Sequence, residues 1–383
     1  MSNEDFVRRL LIISVGSSAS IHLLGGIASQ YPDLLFRNKI MIIETSRKMF
    51  NDAIDYLTSI YKRNYAKIRG RQEEEIKDGQ FPLSTFKSQL KENSVLLAEG
   101  GGGATPEKGL AYYTEKRDEV LAKITELVTD KTGEREVSGI IILGCAGKGT
   151  GTLITPALTK DLRVEPDLPK PLAFTTLPFR FDRMSIENAM KIQDVLHEIP
   201  LFLLDYERAV GGYLYLSGEV PRKDIAITHL YGMVVGALSN VLSTLIEALN
   251  YSIECNPPLD WSDIMPILVP GDVGTITYSL RFRRDEFMKS WKNDLSTLLL
   301  LRTKNRPMNT RSVAIVRGID IPLGLVEEVT EYIEKFLGSS PRLYILNRGP
   351  DFKIVSLIHG FDPSDIIPPL QPGRGLLSRI LGL

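Results

Sequence analysis

The most informative part of the sequence is residues 140–157, which read IIILGCAGKGTGTLITPA. An unbroken apolar run leads into a glycine-rich turn and then a helical pattern, which predicts a strand, a turn and a helix. Glycines let backbone N–H groups approach an anion, and a helix start adds unpaired N–H groups and partial positive charge. Pro156 is expected in the first turn of the helix, where proline is tolerated. The segment predicts either a phosphate-binding loop or a plain connection.

Two further turns of small residues follow predicted strands. Residues 99–109 read EGGGGATPEKG, in which Thr105 is a fitting N-cap and Pro106 a fitting first helical residue. Residues 15–20 read VGSSAS and follow the first strand. Each turn alone is compatible with a tight connection. Because the carboxyl ends of parallel strands meet at one crevice, the three turns together predict a nucleotide site there.

The first half of the chain alternates short apolar runs with longer helical patterns, which is typical of a parallel sheet covered by helices. The clearest helical pattern covers residues 107–128, and residues 47–79 are charged and begin helically. The predicted strands are residues 10–15, 39–43, 95–98, 139–143, 172–176 and 201–204.

The second half has a different pattern, in which strand-like runs follow one another with a single helix candidate at residues 323–337. Strands without intervening helices predict a mixed or antiparallel sheet of α+β type. The expected fold is therefore α/β, with a parallel-sheet nucleotide-binding domain joined by a long core helix to a smaller α+β domain. The expected boundaries are residues 1–224, 225–255 for the core helix, 256–362, and 363–383 for a tail. The strand-like runs are residues 274–282, 312–317, 342–347 and 352–359.

Composition narrows the function classes. The chain has 383 residues, with 46 basic and 47 acidic side chains and a net charge of -1, so the basic surplus typical of direct nucleic-acid binders is absent. Two cysteines cannot form a disulfide framework, and reduced thiols in a cytosol are the simplest interpretation. The four histidines lie far apart, which disfavours a zinc site, so we expect no metal held by the protein itself.

Three segments bear on whether the protein associates with a membrane or with a partner. The start of the chain carries charges and lacks an export signal, which favours a cytoplasmic protein. Residues 225–246 hold no Asp, Glu, Lys or Arg, and we favour a helix buried between domains over a membrane span. The proline-rich residues 363–373 and the amphipathic end at 374–383 suggest either a docking segment for a partner or membrane adaptor, or a terminus that packs locally.

Common phosphate motifs do not fit the glycine-rich loop. A P-loop needs Ser or Thr after Gly-Lys, but Gly149 follows Lys148. A Rossmann fingerprint requires the first strand, whereas this strand is internal. A dinucleotide oxidoreductase that uses residues 15–20 is a weak alternative, because the glycine fingerprint is broken there.

The loops resemble those of the tubulin/FtsZ superfamily, and the resemblance covers most of the chain. The signature Gly-Gly-Gly-Thr-Gly-(Thr/Ser)-Gly is similar to residues 147–153, and the FtsZ loop Gly-Ala-Gly-x-Asn-Pro-Glu-x-Gly is similar to residues 101–109. The loop Asn-x-Asp-Phe-x-Asp is similar to residues 258–263, and residues 314–320 resemble the second domain of FtsZ. The compact second domain resembles the prokaryotic branches, and residues 154–156 look more like TubZ than like division FtsZ.

This resemblance implies a divergent prokaryotic FtsZ/TubZ-like GTPase that binds GTP or GDP, with Mg²⁺, and self-associates head-to-tail into filaments. Its role would be cell division or the segregation of plasmid or phage DNA. Asp260 and Asp263 would be catalytic, acting on the nucleotide of the neighbouring subunit. Without the resemblance, they would be acids favoured at a helix N-terminus. The implied nucleotide-binding residues are Gly16, Ser17, Ser18, Ser20, Thr45, Gly102, Gly103, Ala104, Thr105, Gly147, Lys148, Gly149, Thr150, Gly151, Thr152, Asp182, Tyr206 and Tyr231.

Several residues depart from the superfamily pattern. The superfamily's Asn-Thr-Asp corresponds to Glu44-Thr45-Ser46, so the acid stands at the first position instead of the third. Lys148 replaces a glycine of the signature, and its side chain points either to phosphate or to solvent. Tyr206 stands where the superfamily reads guanine with Asn, and no Asn occurs at residues 228–230. Tyrosine stacking accepts any purine, so guanine specificity rests on analogy. These departures motivate an alternative function, a nucleotide-binding structural or regulatory scaffold with little hydrolysis.

Overall fold

A computed structural model describes residues 9–70, 72–73, 82–101, 105–130, 132–219, 225–305 and 310–366. Its internal contacts divide the chain into two units, Met1–Phe174 and Thr175–Leu383. The domain boundaries expected from the sequence divide the chain differently, and they remain a prediction. The expected tail lies outside the described residues except for a short 3₁₀ turn at Pro363–Asp365.

The first unit is built on a parallel sheet with the strand order β3-β2-β1-β4. Its strands agree with the predicted ones to within a few residues at each end. Its elements, in chain order, are β1 (Arg9–Val15), a π-helical turn (Ala19–Leu24), α1 (Gly25–Gln30), α2 (Leu34–Arg37), β2 (Lys39–Glu44), α3 (Arg47–Arg69), α4 (Leu83–Asn93), β3 (Val95–Leu96), α5 (Pro106–Glu115), α6 (Arg117–Val128), β4 (Val137–Cys145), α7 (Gly151–Val164) and the first half of β5 (Leu172–Leu177).

The strand β1 is buried on both faces, which is why a continuous apolar run predicted it. Ile12 pairs with Ile40 on one side and with Ile141 on the other, and these three residues are 0 to 3% exposed. A parallel strand covered on both faces is continuously apolar instead of alternating.

Two helix predictions in the first unit are wrong. A single helix was expected over residues 107–128, but α5 and α6 are separated at Lys116, whose φ of -106° and ψ of 15° leave the helical region. The Lys116 ammonium donates to the Leu96 carbonyl of β3 at 3.0 Å. Pro156 is the sixth residue of α7 rather than part of its first turn. The helix therefore lacks the N–H that would bond the carbonyl four residues earlier, that of Thr152.

The helices α3 and α4 pack against each other, and α3 also packs against α1. The aromatic rings of Tyr61 in α3 and Phe86 in α4 stack, with their centroids 4.1 Å apart. Asn64 of α3 donates to the Ala28 carbonyl of α1 at 2.8 Å. Through these contacts, both helices are packed into the first unit.

The strands of the second unit follow the order β6-β8-β11-β9-β10-β7. The sequence predicted a mixed or antiparallel sheet after the core helix, but it predicted neither this order nor the strand β7. β6 and β9 run parallel to β8 and β10, respectively, and the other pairs are antiparallel. After the second half of β5, its elements are α8 (Arg183–Met190), β6 (Leu201–Asp205), α9 (Tyr206–Ser217), α10 (Ile227–Asn250), β7 (Cys255–Asn256), α11 (Trp261–Ile264), β8 (Val273–Arg281), α12 (Arg284–Thr297), β9 (Arg311–Arg317), α13 (Leu323–Leu337), β10 (Arg342–Leu346) and β11 (Phe352–Phe361).

The expectation of strands without a helix between the first two runs is wrong, because α12 connects β8 to β9. This helix buries Phe287, Trp291, Asp294 and Leu295 in a single narrow stripe. One apolar residue per turn, among charged neighbours, gives too weak a periodic signal to be recognised as a helix.

The uncharged segment forms most of α10. Within the described residues, α10 alone is long and apolar enough to cross a membrane, and 78% of its most apolar window is buried inside the protein. Its one acid, Glu247, accepts from Arg317 at 2.8 Å and pairs with Arg348 at 3.2 Å, both within the second unit. These contacts agree with the buried core helix expected from the sequence.

Candidate functional site

The first unit contains a pocket of about 400 Å³ where β1, β2 and β4 end. The sequence predicted that the turns after β1, β3 and β4 would converge, and residues of all three line this pocket, together with the turn after β2 and the start of α7. The pocket is lined by Val15, Gly16, Ser17, Ser18, Glu44, Thr45, Ser46, Met49, Gly100, Gly101, Cys145, Lys148, Gly149, Thr150 and Gly151.

The start of α7 lies close against the ends of two strands. A Cβ on Gly151 would lie 2.6 Å from the Cys145 carbonyl oxygen and 3.1 Å from that of Val15. Only a glycine permits this approach without a backbone shift. The helix N-terminus, with its partial positive charge, is therefore held at the edge of the pocket.

The carboxylate of Glu44 accepts hydrogen bonds from three of the turns that line the pocket. Its carboxylate accepts from the Ser17 N–H at 2.5 Å, the Thr45 N–H at 2.7 Å and the Thr150 hydroxyl at 2.9 Å. The Thr45 hydroxyl lies 3.3 Å from the same carboxylate and 2.8 Å from the Thr150 hydroxyl. The side chain therefore ties the turns after β1 and β2 to the glycine-rich loop. The sequence identified Glu44 only as a departure from the superfamily pattern, although its place at the end of β2 was a usable signal.

Both threonine hydroxyls of the glycine-rich loop have hydrogen-bond partners within the protein. Thr152 is fully buried, donates to the Lys148 carbonyl at 2.5 Å and accepts from the Gly147 N–H at 2.9 Å. Thr150 bonds to Glu44 and Thr45. The predicted contact of Thr150 and Thr152 with nucleotide stays a prediction, and the exposed Lys148 lines the pocket.

The other predicted residues of the first unit divide into two groups. One group, Gly16, Ser17, Ser18, Thr45 and Gly149, lines the pocket, and its contact with nucleotide stays a prediction. Ser20 does not line the pocket, because its buried hydroxyl bonds to the Ser14 hydroxyl and the Gly16 carbonyl.

The second glycine turn is only partly described. Thr105 is the N-cap residue of α5 and Pro106 its first residue, as predicted. The predicted site residues Gly102, Gly103 and Ala104 lie outside the described residues. Gly100 and Gly101 of this turn line the pocket, and the preceding Glu99 forms an ion pair with Arg47 at the start of α3.

Tyr206 and Tyr231 lie together in the second unit. Their ring centroids are 5.9 Å apart and edge-on, and both rings contact Phe179. Tyr206 is 7% exposed, so little of its ring is accessible for stacking, while Tyr231 is half-buried. Phe181 stacks on Phe179 and is 51% exposed, which makes it an aromatic surface that the sequence interpretation missed.

Asp182 caps α8 by accepting from the Ser185 N–H at 3.1 Å and the Ser185 hydroxyl at 2.6 Å. Its predicted contact with ribose stays a prediction.

The paired acids of α11 form a capping box. The side chain of Asp260 accepts from the N–H of Asp263, and the Asp263 carboxylate accepts from the Asp260 N–H at 2.8 Å. Asp263 also pairs with Arg342 at 3.3 Å, and its side chain is 26% exposed. The helix-start interpretation of these acids therefore describes their local structure, and their catalytic role stays a prediction.

The pocket fits the phosphates of a nucleotide better than a metal held by the protein. The helix start, the glycine backbone and Lys148 favour an anion. Among the lining residues the only carboxylate is Glu44, and N–H and hydroxyl donors already occupy its oxygens. No group of three or more His, Cys, Asp or Glu suited to a metal occurs in the part of the chain that is described. The Mg²⁺ implied by the resemblance thus finds no protein ligand set here.

No protein-family model matches the chain, and no curated protein matches it in sequence. Solved structures do match. CetZ1 from Haloferax volcanii, a GDP-bound monomer, is 15% identical with a TM-score of 0.64, and the match covers 98% of each chain. An empty FtsZ dimer of M. jannaschii is 15% identical with a TM-score of 0.61, over 93% of this chain and 89% of that one.

A GTPγS-form protofilament of Bacillus thuringiensis TubZ is 14% identical with a TM-score of 0.60, over 98% of this chain and 92% of that one. The TM-scores of the three structures are close, so the similarity extends across the FtsZ, CetZ and TubZ branches alike. The chain therefore has the tubulin/FtsZ fold.

Proposed function

We propose that this protein binds a nucleoside triphosphate through the first-unit pocket and hydrolyses it as a filament-forming, cytoplasmic GTPase. The observation that carries the proposal is the pocket itself. Three turns at the carboxyl ends of parallel strands and the start of α7 surround one space of about 400 Å³. This is the edge at which α/β sheets bind ligands, and a helix start favours phosphate.

Hydrolysis is proposed to require a second copy of the chain. The first-unit pocket contains a single carboxylate, Glu44, which is occupied by its own donors. Asp260 and Asp263 of a neighbouring subunit would supply the charge that positions the attacking water. The structurally similar CetZ2 and TubZ structures are described as protofilaments, which supports head-to-tail assembly. Cell division and DNA segregation both remain candidate roles.

Asp263→Asn tests the catalytic assignment. The amide keeps an oxygen that accepts from the Asp260 N–H, so α11 stays capped while the charge is lost. We expect turnover to fall by about a hundredfold or more, since that is the usual contribution of an acid–base group. The affinity for GTP in the dilute protein stays within twofold of that of the wild type.

Arg342→Gln is the matched control, because it breaks the same ion pair and leaves the acid in place. We expect this variant to retain most of its turnover. Undiminished phosphate release by Asp263→Asn contradicts the catalytic assignment.

The alternative function is a nucleotide-binding scaffold with little or no hydrolysis. The observation that favours it is the capping box, which gives Asp260 and Asp263 a structural role without any catalysis. In that case the purified protein retains nucleotide, releases no phosphate at any protein concentration, and loses stability when the box is broken. Mass spectrometry of the retained nucleotide identifies its base. This measurement is needed because the Asn that recognises guanine in the superfamily is missing here, so guanine specificity rests on analogy alone.

A further inference from the structure

We propose that the Glu44 carboxylate is an internal anion that occupies part of the phosphate-binding pocket and lowers the affinity of the protein for nucleotide. The inference rests on the proposed function, because it assumes that phosphates bind in the first-unit pocket. The Glu44 carboxylate would compete with the phosphates for the same hydrogen-bond donors. A nucleotide would bind these donors only when Glu44 releases them.

The contacts of Glu44 are those expected of a bound anion. Its two oxygens take N–H donors from Ser17 and Thr45 at 2.5 and 2.7 Å and a hydroxyl donor from Thr150 at 2.9 Å. These donors come from three separate turns, and the residues that supply them all line the pocket. Carboxylate and phosphate oxygens accept from the same kinds of donor, so the two groups compete for them.

Charge strengthens this competition. Glu44 is 3% exposed, and it is the only acid among the residues that line the pocket. Lys148 is the only Lys or Arg among them. A phosphate that enters the pocket therefore meets a buried like charge, and charge repulsion is stronger where water is excluded.

The other possible role of Glu44 is purely architectural. In that role the carboxylate holds the three turns in the shape that phosphate needs, and removing its charge weakens binding. The two roles predict opposite signs for the same substitution, which makes the affinity for nucleotide decisive.

The test is calorimetric titration of the full chain with GDP and with GTP. Glu44→Gln keeps the size of the side chain and an acceptor oxygen but removes the charge. We expect both nucleotides to bind at least about tenfold more tightly than they bind the wild type, with the larger gain for GTP, which carries more charge. Lys148→Gln is the opposite control and is expected to weaken both.

Each outcome decides. If the wild type binds GDP and Glu44→Gln binds it equally or more weakly, Glu44 is architectural and this inference fails while the proposed function stands. If neither protein binds either nucleotide, the proposed function fails and the inference fails with it. Should the Gln variant not fold, Glu44→Asn provides the same test, since its shorter amide withdraws from the Ser17 N–H.

Discussion

Asp205 is an acid whose environment differs strongly from that of a surface carboxylate. It ends β6, is 1% exposed, and accepts from the Glu207 N–H at 2.7 Å and the Arg208 N–H at 3.4 Å at the start of α9. Burial, and after it the negative charge of Glu207, raise the pKa of Asp205 to about 6. The backbone N–H groups and the charge of Arg302 act in the opposite direction but do not cancel this effect.

A raised pKa makes the ionised form of Asp205 costly in the folded state. Between about pH 4 and pH 6 the folded chain binds more protons at this site than the unfolded chain, so the free energy of unfolding falls as the pH rises through that range. The loss is about 3 kcal/mol at neutral pH, from the difference between the two pKa values. We expect Asp205→Asn to remove this fall, because the amide keeps the cap and does not ionise.

Urea unfolding at pH 4.5 and pH 7.5 gives the change in the free energy of unfolding between these two pH values. The difference in this change between wild type and Asp205→Asn reports on Asp205, because the contributions of the other titrating groups cancel. Asp118→Asn is the control, because the Asp118 side chain is 98% exposed and should leave the pH dependence unchanged. Equal pH dependence in Asp205→Asn and wild type would show that the ionised carboxylate is tolerated in its buried place.

At the scale of the elements, the packing of α5 determines the position of the glycine-rich loop. Gly109 of α5 faces the loop so closely that a Cβ would lie 2.4 Å from the Gly149 carbonyl oxygen and 3.6 Å from the Thr150 Cα. The obstacle is backbone, which cannot rotate away as a side chain can. A larger residue at this point must therefore move either the helix or the loop.

Gly109→Ala is expected to destabilise the protein by about 1–3 kcal/mol, the usual cost of overpacking, and to weaken GDP binding because the loop is displaced. Thermal unfolding and titration with GDP measure the two effects. Gly324→Ala is the matched control within α13, where a Cβ meets nothing within 4 Å. It should raise stability by up to about 1 kcal/mol through helix propensity and leave binding unchanged. Wild-type GDP affinity in Gly109→Ala would contradict the link between α5 and the loop.

At the scale of the whole molecule, the proposed function places the catalytic acids and the pocket in different copies of the chain. Hydrolysis then depends on association, and a head-to-tail contact that does not close produces open filaments. We expect phosphate release per molecule to rise with protein concentration, with filaments that sediment in the presence of GTP. The measurement is a dilution series of at least a hundredfold. Constant release per molecule across that series would mean that each monomer carries a complete active site.

The candidate site was only partly readable from the sequence. The three turns were identified because strand, glycine turn and helix are adjacent in the chain, and the pocket contains each of them. The role of Glu44 was missed, because its partners at residues 17 and 150 are 27 and 106 residues away along the chain. The internal bonds of Thr150 and Thr152 were missed as well, since a sequence does not indicate which way a hydroxyl turns.

Among the described strands, the sequence alone predicted all except β7, together with the buried core helix and the helix α13, whose bounds agree with the prediction. These depend on local periodicity and on burial that covers both faces of a strand, so neighbouring residues carry the signal. The tertiary structure alone decided the break at Lys116, the helix α12 and the occupation of the pocket by Glu44. These depend on contacts between distant segments, whose energies outweigh the weak local preferences of the residues involved.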